Sequence, residues 1–292
     1  MGIRQRRGIL LALSVVFVIV VIAAVFVLVA TVRHGEKAVV AVYPSAVAGS
    51  KKGVGVTSGT VAEVAQLNVS WGYNWGLSGA WFNDAWEYVP MAHKGTDSDR
   101  LARAAKNRPG SYWLVWNEPD QRTQENLQPA AAAVAYKRIY DAITGADPTA
   151  KLIVGGVSAP TSAGYGWVRQ FRGAYYTRYK VWPKMAGLHV HNYLLQSYGT
   201  KAWRDALYMF RRWMDADRVG GELWLTEYGC LKWWQLCGRV MTEQTPWLEA
   251  QPWLHRYVWF ATGVAVPSCQ GCYGSLLYGG ALTDLGELYA KY

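Results

Sequence analysis

The sequence predicts an α/β fold, a (β/α)8 TIM barrel that follows a single N-terminal transmembrane helix. Between residues 53 and 292, eight short apolar runs recur, and most of them are separated by segments with helical periodicity. Alternating strands and helices favour a parallel sheet, and eight units are enough to close it. The length of this region, about 240 residues, is typical of that barrel. An open doubly wound sheet is the alternative, but no Gly-x-Gly-x-x-Gly follows the first strand.

The first segment of the chain has the features of a membrane anchor. No charged residue occurs from Ile9 to Val32, and a helix of that length crosses a hydrocarbon core of roughly 30 Å. Residues 1 to 8 contain three arginines, so the positive-inside rule places them in the cytoplasm and the later domain outside the cell. We therefore expect an uncleaved signal anchor in the cell membrane. Cleavage of this segment, which would give a secreted protein, is the alternative.

The charge distribution separates this anchor from the domain that follows. The formal net charge is +10, and residues 1 to 52 hold seven lysines and arginines against Glu36 alone. Most of the basic excess therefore lies with the anchor and with residues 33 to 52, which we interpret as a linker. In the domain at residues 53 to 292, no basic run is interleaved with aromatic residues, so nucleic acid is not an expected partner.

The elements of the domain follow in order from local composition. Apolar, β-branched and aromatic runs predict strands at residues 53–57, 69–74, 87–91, 111–117, 151–156, 186–192, 222–227 and 256–262. Helical periodicity predicts helices at residues 97–107, 129–144, 167–179, 200–218 and 245–256. Pro129 and Pro246 each fit the first turn of a helix, where the missing N–H has no helical partner to lose.

Two of the predicted strands end in a glutamate. The fourth strand runs into Asn117, Glu118 and Pro119, and it must stop there because proline has no backbone donor. The seventh strand ends in Glu227. Parallel strands bring such side chains to one edge of the sheet, where hydrolysis of a glycosidic bond could use one carboxyl group as an acid and the other as a nucleophile or base. A glutamate that merely caps the next loop is the alternative.

Alternating side chains on two other strands point to the same end of the barrel. Strand two carries Trp71, Tyr73 and Trp75 at every second position, so these aromatic residues share one face. In strand six, His191 and Tyr193 share a face that should point into the barrel, near the carboxyl end of the strand. A histidine on a strand is often only a hydrogen-bonded core residue, which is the alternative for His191.

Together these motifs resemble a known group of enzymes. The Asn-Glu-Pro at 117–119, with a later strand-end Glu227, is similar to glycoside hydrolase clan A, whose members are (β/α)8 barrels. The Trp-x-Tyr-Asn-Trp at 71–75, the Val-Pro-Met at 89–91 and the Leu-Thr-Asp-Leu-Gly-Glu-Leu-Tyr at 282–289 narrow the resemblance to family 128. Characterised members of that family are endo-β-1,3-glucanases and related β-1,3-glucan binders. The resemblance spans most of residues 53 to 292, although the Gly- and Cys-rich loop at 264–280 departs from it.

The resemblance implies a retaining glycoside hydrolase that acts by double displacement, without a metal or cofactor. Glu118 would be the acid/base and Glu227 the nucleophile, while Asn117 would hydrogen-bond the sugar hydroxyl beside the reacting carbon. To act as an acid, Glu118 needs a raised pKa, which apolar surroundings and the charge of Glu227 could supply. The substrate would be a β-glucan, and we expect a monomer.

The resemblance also implies supporting roles around the two carboxylates. Tyr193 would donate a hydrogen bond to Glu227 and keep it ionised, with His191 beside it. Trp259, on the eighth strand, would floor the subsite where the bond is cleaved.

The aromatic content supports a carbohydrate ligand independently of the family. The chain contains 16 Trp and 19 Tyr, and aromatic rings stack on the C–H faces of sugars. Trp71, Tyr73, Trp75 and Trp259 are the candidates, because they lie at or near strand ends. Burial in the barrel core is the ordinary alternative for each of them.

All four cysteines lie in the loops after strands seven and eight. They are Cys230, Cys237, Cys269 and Cys272, and outside the cytoplasm an even number favours disulfides, with three possible pairings. Bridges between the loops would rigidify one wall of a cleft beside Glu227. A zinc site made of four thiolates is the alternative, but its usual ligand spacing is absent.

Two functions from different classes follow from the sequence. The first is a membrane-tethered retaining endo-glycosidase that acts on extracellular β-glucan. The second is a non-catalytic glucan-binding or wall-attachment protein on the same barrel, since a fold alone does not imply activity. The presence of both carboxylates favours the enzyme.

Overall fold

Each of the eight predicted strands corresponds to part of one parallel sheet. The computed structural model describes residues 51–79, 86–230, 234–263 and 274–292. The strands are β1 Lys52–Gly55, β2 Trp71–Tyr73, β3 Glu87–Tyr88, β4 Met91–Ala92, β5 Tyr112–Val115, β6 Lys151–Val157, β7 Gly187–Asn192, β8 Glu222–Tyr228 and β9 Leu254–Phe260. Their order is β3-β2-β1-β9-β8-β7-β6-β5-β4, with every pair parallel. The first strand starts at Lys52, one residue before the predicted domain boundary.

The two ends of this strand order are consecutive in the chain. β3 and β4 are separated only by Val89 and Pro90. Val89 donates its N–H to Gly72 O at 2.9 Å, and Leu114 donates its N–H to Pro90 O at 2.9 Å. The extended segment 87–92 therefore bonds to β2 on one side and to β5 on the other, and the sheet curls in the manner of a TIM-like fold. Pro90 divides the segment because it has no N–H for the ladder.

Helices follow most of the strands and cover the outside of the sheet. They are α1 Val61–Ala65, α2 Ser98–Lys106, α3 Pro129–Ala146, α4 Ser162–Tyr179, α5 Leu195–Ala216, α6 Trp234–Glu249 and α7 Asp284–Lys291. Side chains cap several first turns, as where Asp97 accepts from Arg100 N–H and Thr283 accepts from Gly286 N–H. A short antiparallel hairpin precedes the last helix, and each of its strands, β10 Leu277–Tyr278 and β11 Ala281–Leu282, has two residues.

One predicted helix is wrong in its bounds. The sequence predicted a helix over residues 245–256 with Pro246 in its first turn, whereas α6 begins at Trp234 and carries Pro246 in its interior. Residues 254–256 instead begin β9. A proline marks a helix start only statistically, and here the helix accommodates it close to the C-terminal end.

Two layers of apolar side chains hold the sheet. The inner layer lies inside the curl and contains Trp71, Tyr73, Val89, Met91, Leu114, Ile153, Trp224 and Val258. The outer layer lies between the sheet and the helices and includes Trp113, Trp116, Leu225 and Trp259. Because successive side chains of a strand face opposite sides, this division decides which residues can reach the open end of the curl.

The predicted anchor at residues 9–32 and most of the predicted linker lie outside the described residues. Among the helices of the described ranges, none has the length and apolar character needed to traverse a bilayer.

Candidate active site

A left-handed turn at the end of β5 positions Glu118. Trp116 and Glu118 have φ values of 73° and 46°, a region that costs a non-glycine residue roughly 1 kcal/mol or more. The Glu118 N–H donates to Gly156 O at 2.8 Å, which fastens the turn to the neighbouring strand. A Cβ on Gly156 would lie 2.8 Å from Trp116 O and 2.6 Å from the His189 ring, so only glycine fits there.

A β-bulge on β8 positions Glu227. The register between β7 and β8 pairs Val190 with Leu225 but His191 with Glu227, so Thr226 is an additional residue on β8. This bulge shifts the alternation and brings Glu227 beside His191. We call the resulting carboxyl-end edge of the sheet, with Asn117, Glu118, His191, Tyr193 and Glu227, the mouth.

The mouth brings the two predicted glutamates together, although they are far apart in sequence. Single ligand atoms of Glu118, His191 and Glu227 all lie within 4.8 Å of one another. His191 Nδ1 lies 3.0 Å from Glu118 Oε1 and 3.3 Å from Glu227 Oε2. Glu227 is buried, whereas the Glu118 side chain is 18% exposed. One carboxylate is therefore enclosed and the other faces the opening.

His191 is fully buried between the two carboxylates. Burial opposes its protonation, but the neighbouring Glu227 and Glu118 outweigh burial and raise the pKa of His191. Its Nε2 is buried and has no hydrogen-bond partner among the described residues. Because both Nδ1 contacts are acceptors, the proton belongs on Nδ1, which then donates to the carboxylates.

His189 lies beneath His191 and is a structural residue. Its Nδ1 lies 2.8 Å from Thr226 Oγ1, and its Nε2 lies 3.1 Å from Val115 O. Burial, assisted by His191, lowers the pKa of His189 to about 3, so the ring is neutral. It ties β5, β7 and the β8 bulge together under the mouth.

Glu227 accepts hydrogen bonds that stabilise its anion in a site that burial makes unfavourable for charge. Tyr193 donates to Glu227 Oε2 at 2.9 Å. Burial raises the pKa of Glu227 to about 7; His191 lowers it, Glu118 raises it, and the hydrogen bonds of Tyr193 and Trp75 lower it. The Glu227 carboxyl can therefore gain or lose its proton near neutral pH.

Asn117 and Trp75 form the wall of the mouth beside Glu118. Trp75 donates its indole N–H to Asn117 Oδ1 at 3.1 Å, and Asn117 Nδ2 donates to Gln124 Oε1 at 3.3 Å. The Trp75 ring is half-buried and lies 4.7 Å from the Tyr73 ring, centroid to centroid. Of the predicted aromatic residues, Trp75 is the one with a ring open to the mouth.

Two residues that were not predicted from the sequence, a histidine and a glutamate, hold the backbone of Trp75 in place. His93 Nε2 lies 2.7 Å from Trp75 O, and its Nδ1 contacts Glu125. Burial opposes protonation of His93, but Glu125 and the Trp75 carbonyl outweigh it and raise the pKa of His93. Both partners are acceptors, so this histidine is held as a cation. The two residues come from separate loops, and no motif links them.

The structure places two of the predicted sugar-binding residues in the inner apolar layer. Trp71 is completely buried, and its indole N–H donates to Lys51 O at 3.0 Å, at the opposite end of the curl. Tyr73, the last residue of β2, is also completely buried, and its hydroxyl donates to Thr226 O at 2.7 Å. Burial, together with the nearby Glu227 and Glu118, raises the pKa of Tyr73, so this hydroxyl lies directly beneath the mouth.

The structure places Trp259, the predicted sugar platform on β9, away from the mouth. Trp259 is completely buried in the outer layer, with its N–H donating to Gly274 O at 2.6 Å. Phe260 faces the mouth instead, edge-on to Trp75 at 5.7 Å and to Tyr193 at 6.3 Å between ring centroids. The inward-facing Val258 was the signal that could have found it, because residues two apart share a face.

The cysteines pair differently from the expected bridge between loops. Cys230, which follows β8, and Cys237, near the start of α6, form a disulfide, while Cys269 and Cys272 lie outside the described residues. This bond closes one loop next to Glu227. Because it consumes two thiolates, a zinc site with all four cysteines is wrong.

Carboxylate and imidazole groups within 4.8 Å could also hold a divalent cation at Glu118, His191 and Glu227. A metal site and an acid/base site require different protonation states of the two glutamates. A cation would require both carboxylates to be ionised, whereas acid/base chemistry requires one proton between them.

Comparison with known proteins assigns this arrangement to a family. The family model described as glycosyl hydrolase catalytic core matches residues 49–289. No curated protein matches the chain. A solved structure of a family 128, subgroup II endo-β-1,3-glucanase from Pseudomonas viridiflava superposes with a TM-score of 0.66 at 26% identity, covering 82% of this chain and 96% of that one.

Two further structures share the fold at lower identity. A subgroup II endo-β-1,3-glucanase from Sorangium cellulosum gives a TM-score of 0.64 at 23% identity, covering 82% of this chain and 97% of that one. A subgroup I endo-β-1,3-glucanase from Amycolatopsis mediterranei, in complex with laminaritriose, gives 0.62 at 20%, covering 83% and 99%. The resemblance to family 128 drawn from the motifs is confirmed.

Proposed function

We propose a function for this chain, which belongs to the glycosyl hydrolase catalytic core family: it hydrolyses β-1,3-glucan with retention of anomeric configuration. The similar structures are endo-β-1,3-glucanases, and one of them holds laminaritriose. We further propose that the curled sheet is the closed (β/α)8 barrel of such enzymes. The anchor at residues 9–32 would hold the catalytic domain, residues 53–292, at the outer face of the cell membrane.

The spacing of the two carboxyl groups carries the proposal. Retaining glycosidases hold their carboxyl groups about 5 to 5.5 Å apart, whereas inverting enzymes need roughly 6.5 to 9.5 Å to admit a water molecule. Oxygens of Glu118 and Glu227 lie within 4.8 Å of each other. This separation is shorter than the range that inverting enzymes need and supports direct attack by one carboxylate.

The hydrogen bonds around the pair support the assignment of roles. Tyr193 and Trp75 donate to Glu227 and offset part of the rise that burial causes in its pKa, which favours the anion that a nucleophile needs. We assign proton transfer to Glu118, which is the more exposed of the two and can reach a leaving oxygen. In this arrangement Glu227 is the nucleophile and Glu118 the acid/base.

The reaction then follows in two balanced steps. Glu227 attacks the anomeric carbon while Glu118 transfers its proton to the departing glycosidic oxygen, which leaves a glycosyl ester on Glu227 and a carboxylate on Glu118. In the second step Glu118 takes a proton from a water molecule while the oxygen of that water attacks the same carbon. The ester bond breaks, Glu227 is released as a carboxylate and Glu118 is again protonated. Two inversions give net retention.

The walls of the mouth would hold the sugar at the reacting bond. Asn117 carries amide groups next to Glu118 and is placed to hydrogen-bond a hydroxyl of the ring. Trp75 and Phe260 offer ring faces or edges from two sides for the apolar surface of the sugar. The conformation of this wall depends on Trp75. His93 holds the backbone carbonyl of Trp75, and Asn117 accepts a hydrogen bond from its indole N–H.

Chemical rescue tests the roles of the two glutamates directly. Reducing-sugar release from β-1,3-glucan is expected from the wild type and should fall at least about 10³-fold in Glu118→Ala and in Glu227→Ala. With an activated aryl β-glucoside, azide should restore turnover to Glu118→Ala with a β-glucosyl azide product and to Glu227→Ala with an α-glucosyl azide. EDTA should leave wild-type activity unchanged.

Other outcomes would assign the site differently. Exchange of the two azide products between the variants would reverse the roles of the glutamates. Inverted product from the wild type, measured by NMR during turnover, would reject double displacement. Binding of laminarihexaose without any bond cleavage would instead support the non-catalytic glucan-binding protein.

A further inference from the structure

A basic cavity lies on the face of the molecule opposite the mouth. It has a volume of about 610 Å3 and is lined by residues of α4, including Arg169 and Arg172, by Trp182, and by residues 217–220. Trp182 precedes β7 and residues 217–220 precede β8, so the cavity opens at the amino ends of these strands. With six residues in β7, the sheet separates it from the catalytic carboxylates by roughly 20 Å.

The cavity has more positive than negative charge. Arg169 makes a two-fold contact with Asp217, Nε to Oδ2 at 2.6 Å and Nη2 to Oδ1 at 3.3 Å. Arg172 and Arg218 also line the cavity, and neither forms an ion pair within the described part of the chain. The Arg172 Nε is buried without a hydrogen-bond partner there. Arg172 Nη1 donates to Asp217 O at 3.4 Å, a long contact that leaves other N–H donors of Arg172, together with those of Arg218, for an anion.

A flat aromatic surface borders this charge. The Trp182 ring stacks on Tyr176, with centroids 4.7 Å apart, and lies 4.9 Å from the Arg172 guanidinium. Arg172 and Tyr176 are one turn apart on α4, so they share a stripe of the helix and both contact the indole. Trp182 is nevertheless 53% exposed.

The loop that carries Trp182 is fixed in place. Lys180 ends α4 in the left-handed conformation, with φ of 59°, and Pro183 is buried two residues after the exposed Val181. The indole therefore lies flat on the protein with little freedom to protrude. A planar face held in this way suits stacking of a sugar ring, for which the binding surface is prepared in advance.

We propose that Trp182 and the basic cavity form a second carbohydrate site, which binds a negatively charged glycan independently of the catalytic mouth. The sugar ring lies against the exposed part of Trp182 at the edge of the cavity, and its carboxylate or phosphate group enters the cavity and pairs with Arg172 and Arg218. A neutral β-glucan would leave these guanidinium groups unpaired. A lipid bilayer would require the aromatic ring to insert, whereas Trp182 lies flat. The site would hold the enzyme on an acidic polymer while the mouth acts on a separate chain.

Titration calorimetry on the full-length Glu227→Gln protein tests this site, because that variant cannot cleave a glucan probe. Tetragalacturonate should bind, and Trp182→Ala or Arg172→Gln should weaken it at least about tenfold, while Trp182→Phe should retain most of the affinity. Tyr208→Ala, which removes a comparably exposed aromatic ring from α5, should change nothing. Binding of laminarihexaose at the mouth should be the same in all four variants.

Three results would overturn the proposal. The first is no binding of tetragalacturonate, or binding that Trp182→Ala leaves unchanged. The second is laminarihexaose binding that Trp182→Ala abolishes, which would make this a neutral glucan site. The third is Trp182-dependent binding to vesicles of anionic phospholipid. Trp182→Ala is also made in the otherwise wild-type chain. Thermal unfolding of this variant shows whether it is folded, and its activity on β-1,3-glucan shows whether the proposed hydrolysis holds independently of the second site.

Discussion

The two ends of the curled sheet contain nearly the same residue types in opposite electrostatic arrangements. The mouth has two glutamates, a histidine and a tyrosine. The opposite edge, which we call the base, has the same types together with an arginine and tryptophans. Its members are Glu87, Tyr112, Glu222, Trp224, His255 and Arg256.

The arginine makes the base a closed, neutralised cluster. Arg256 forms an ion pair with Glu87, and its guanidinium lies 4.5 Å from the Trp224 ring and 4.9 Å from the Tyr112 ring. Glu222 accepts from Tyr112 OH at 2.7 Å and from Trp224 N–H at 2.8 Å. Each carboxylate at the base therefore has partners that stabilise its charge permanently.

The mouth has no permanent cation in contact with its carboxylates among the described residues. Its two glutamates meet across a histidine whose own charge depends on them. At the base an arginine and neutral donors stabilise the carboxylates, whereas at the mouth burial raises the pKa of Glu227 to about 7, so a proton can neutralise its charge.

The largest expected effect comes from removing one carboxylate at each end of the same strand. Glu227→Gln should lower kcat for β-1,3-glucan at least about 10³-fold, because an amide cannot form the glycosyl ester. Glu222→Gln, five residues earlier on β8, should keep kcat within about threefold. Steady-state kinetics on both variants measures this contrast. A comparable loss in Glu222→Gln would mean that the two ends are not functionally separate.

The tyrosines offer a second, smaller contrast. Tyr193→Phe should lower kcat about 10- to 100-fold, because Glu227 loses a donor that stabilises its anion. Tyr112→Phe removes the equivalent donor from Glu222 and should leave kcat unchanged. If Tyr193→Phe altered KM alone, Tyr193 would bind substrate rather than orient the nucleophile.

Removing the arginine should affect stability and leave the chemistry intact. Arg256→Met should lower the free energy of unfolding by about 2 kcal/mol, because Glu87 loses its cation; partial exposure of Glu87 moderates the effect. Chemical denaturation measures this change, and kcat per folded molecule should stay constant. Unchanged stability would show that the stacked rings, rather than the charge, hold the base together.

The pH dependence of stability gives the smallest contrast. The pKa of Glu227 is raised from 4.5 to about 7, so the folded state holds more protons than the unfolded state between these values. The free energy of unfolding should therefore fall as pH rises from about 4.5 to about 7. Glu227→Gln should lack this fall and be more stable than the wild type by about 1 kcal/mol at pH 7.5. Parallel pH profiles would contradict the raised pKa.

The sequence could predict the fold and the position of both glutamates because short-range signals determine them. Pro119 fixes where β5 stops, and parallel pairing brings strand ends to one edge. The face of the sheet on which Trp259 lies could not be predicted, for the opposite reason. Which face a residue takes depends on register, and the β8–β9 pairing contains shifts between Leu223 and Trp224 and between Leu225 and Tyr228. A shift of one residue exchanges the two faces.

Contacts between loops were beyond prediction. His93 and Glu125 meet only because two loops fold against each other, and neither residue stands in a recognisable pattern. The disulfide partner of Cys230 could not be chosen either, because four cysteines allow three pairings. Both the His93–Glu125 contact and the disulfide pairing depend on how the side chains pack in the folded chain.

The tight fit of Gly156 beneath the Glu118 turn bears on how relatives of this chain can be recognised. An Asn-Glu-Pro tripeptide alone is short enough to occur by chance in unrelated sequences. Coupling it to a Gly-Gly pair at the end of the next β-strand, here Gly155 and Gly156, describes the backbone that the left-handed glutamate requires. A search of genome sequences for this two-part pattern would retain chains that can form the required backbone and would discard those in which the tripeptide occurs by chance.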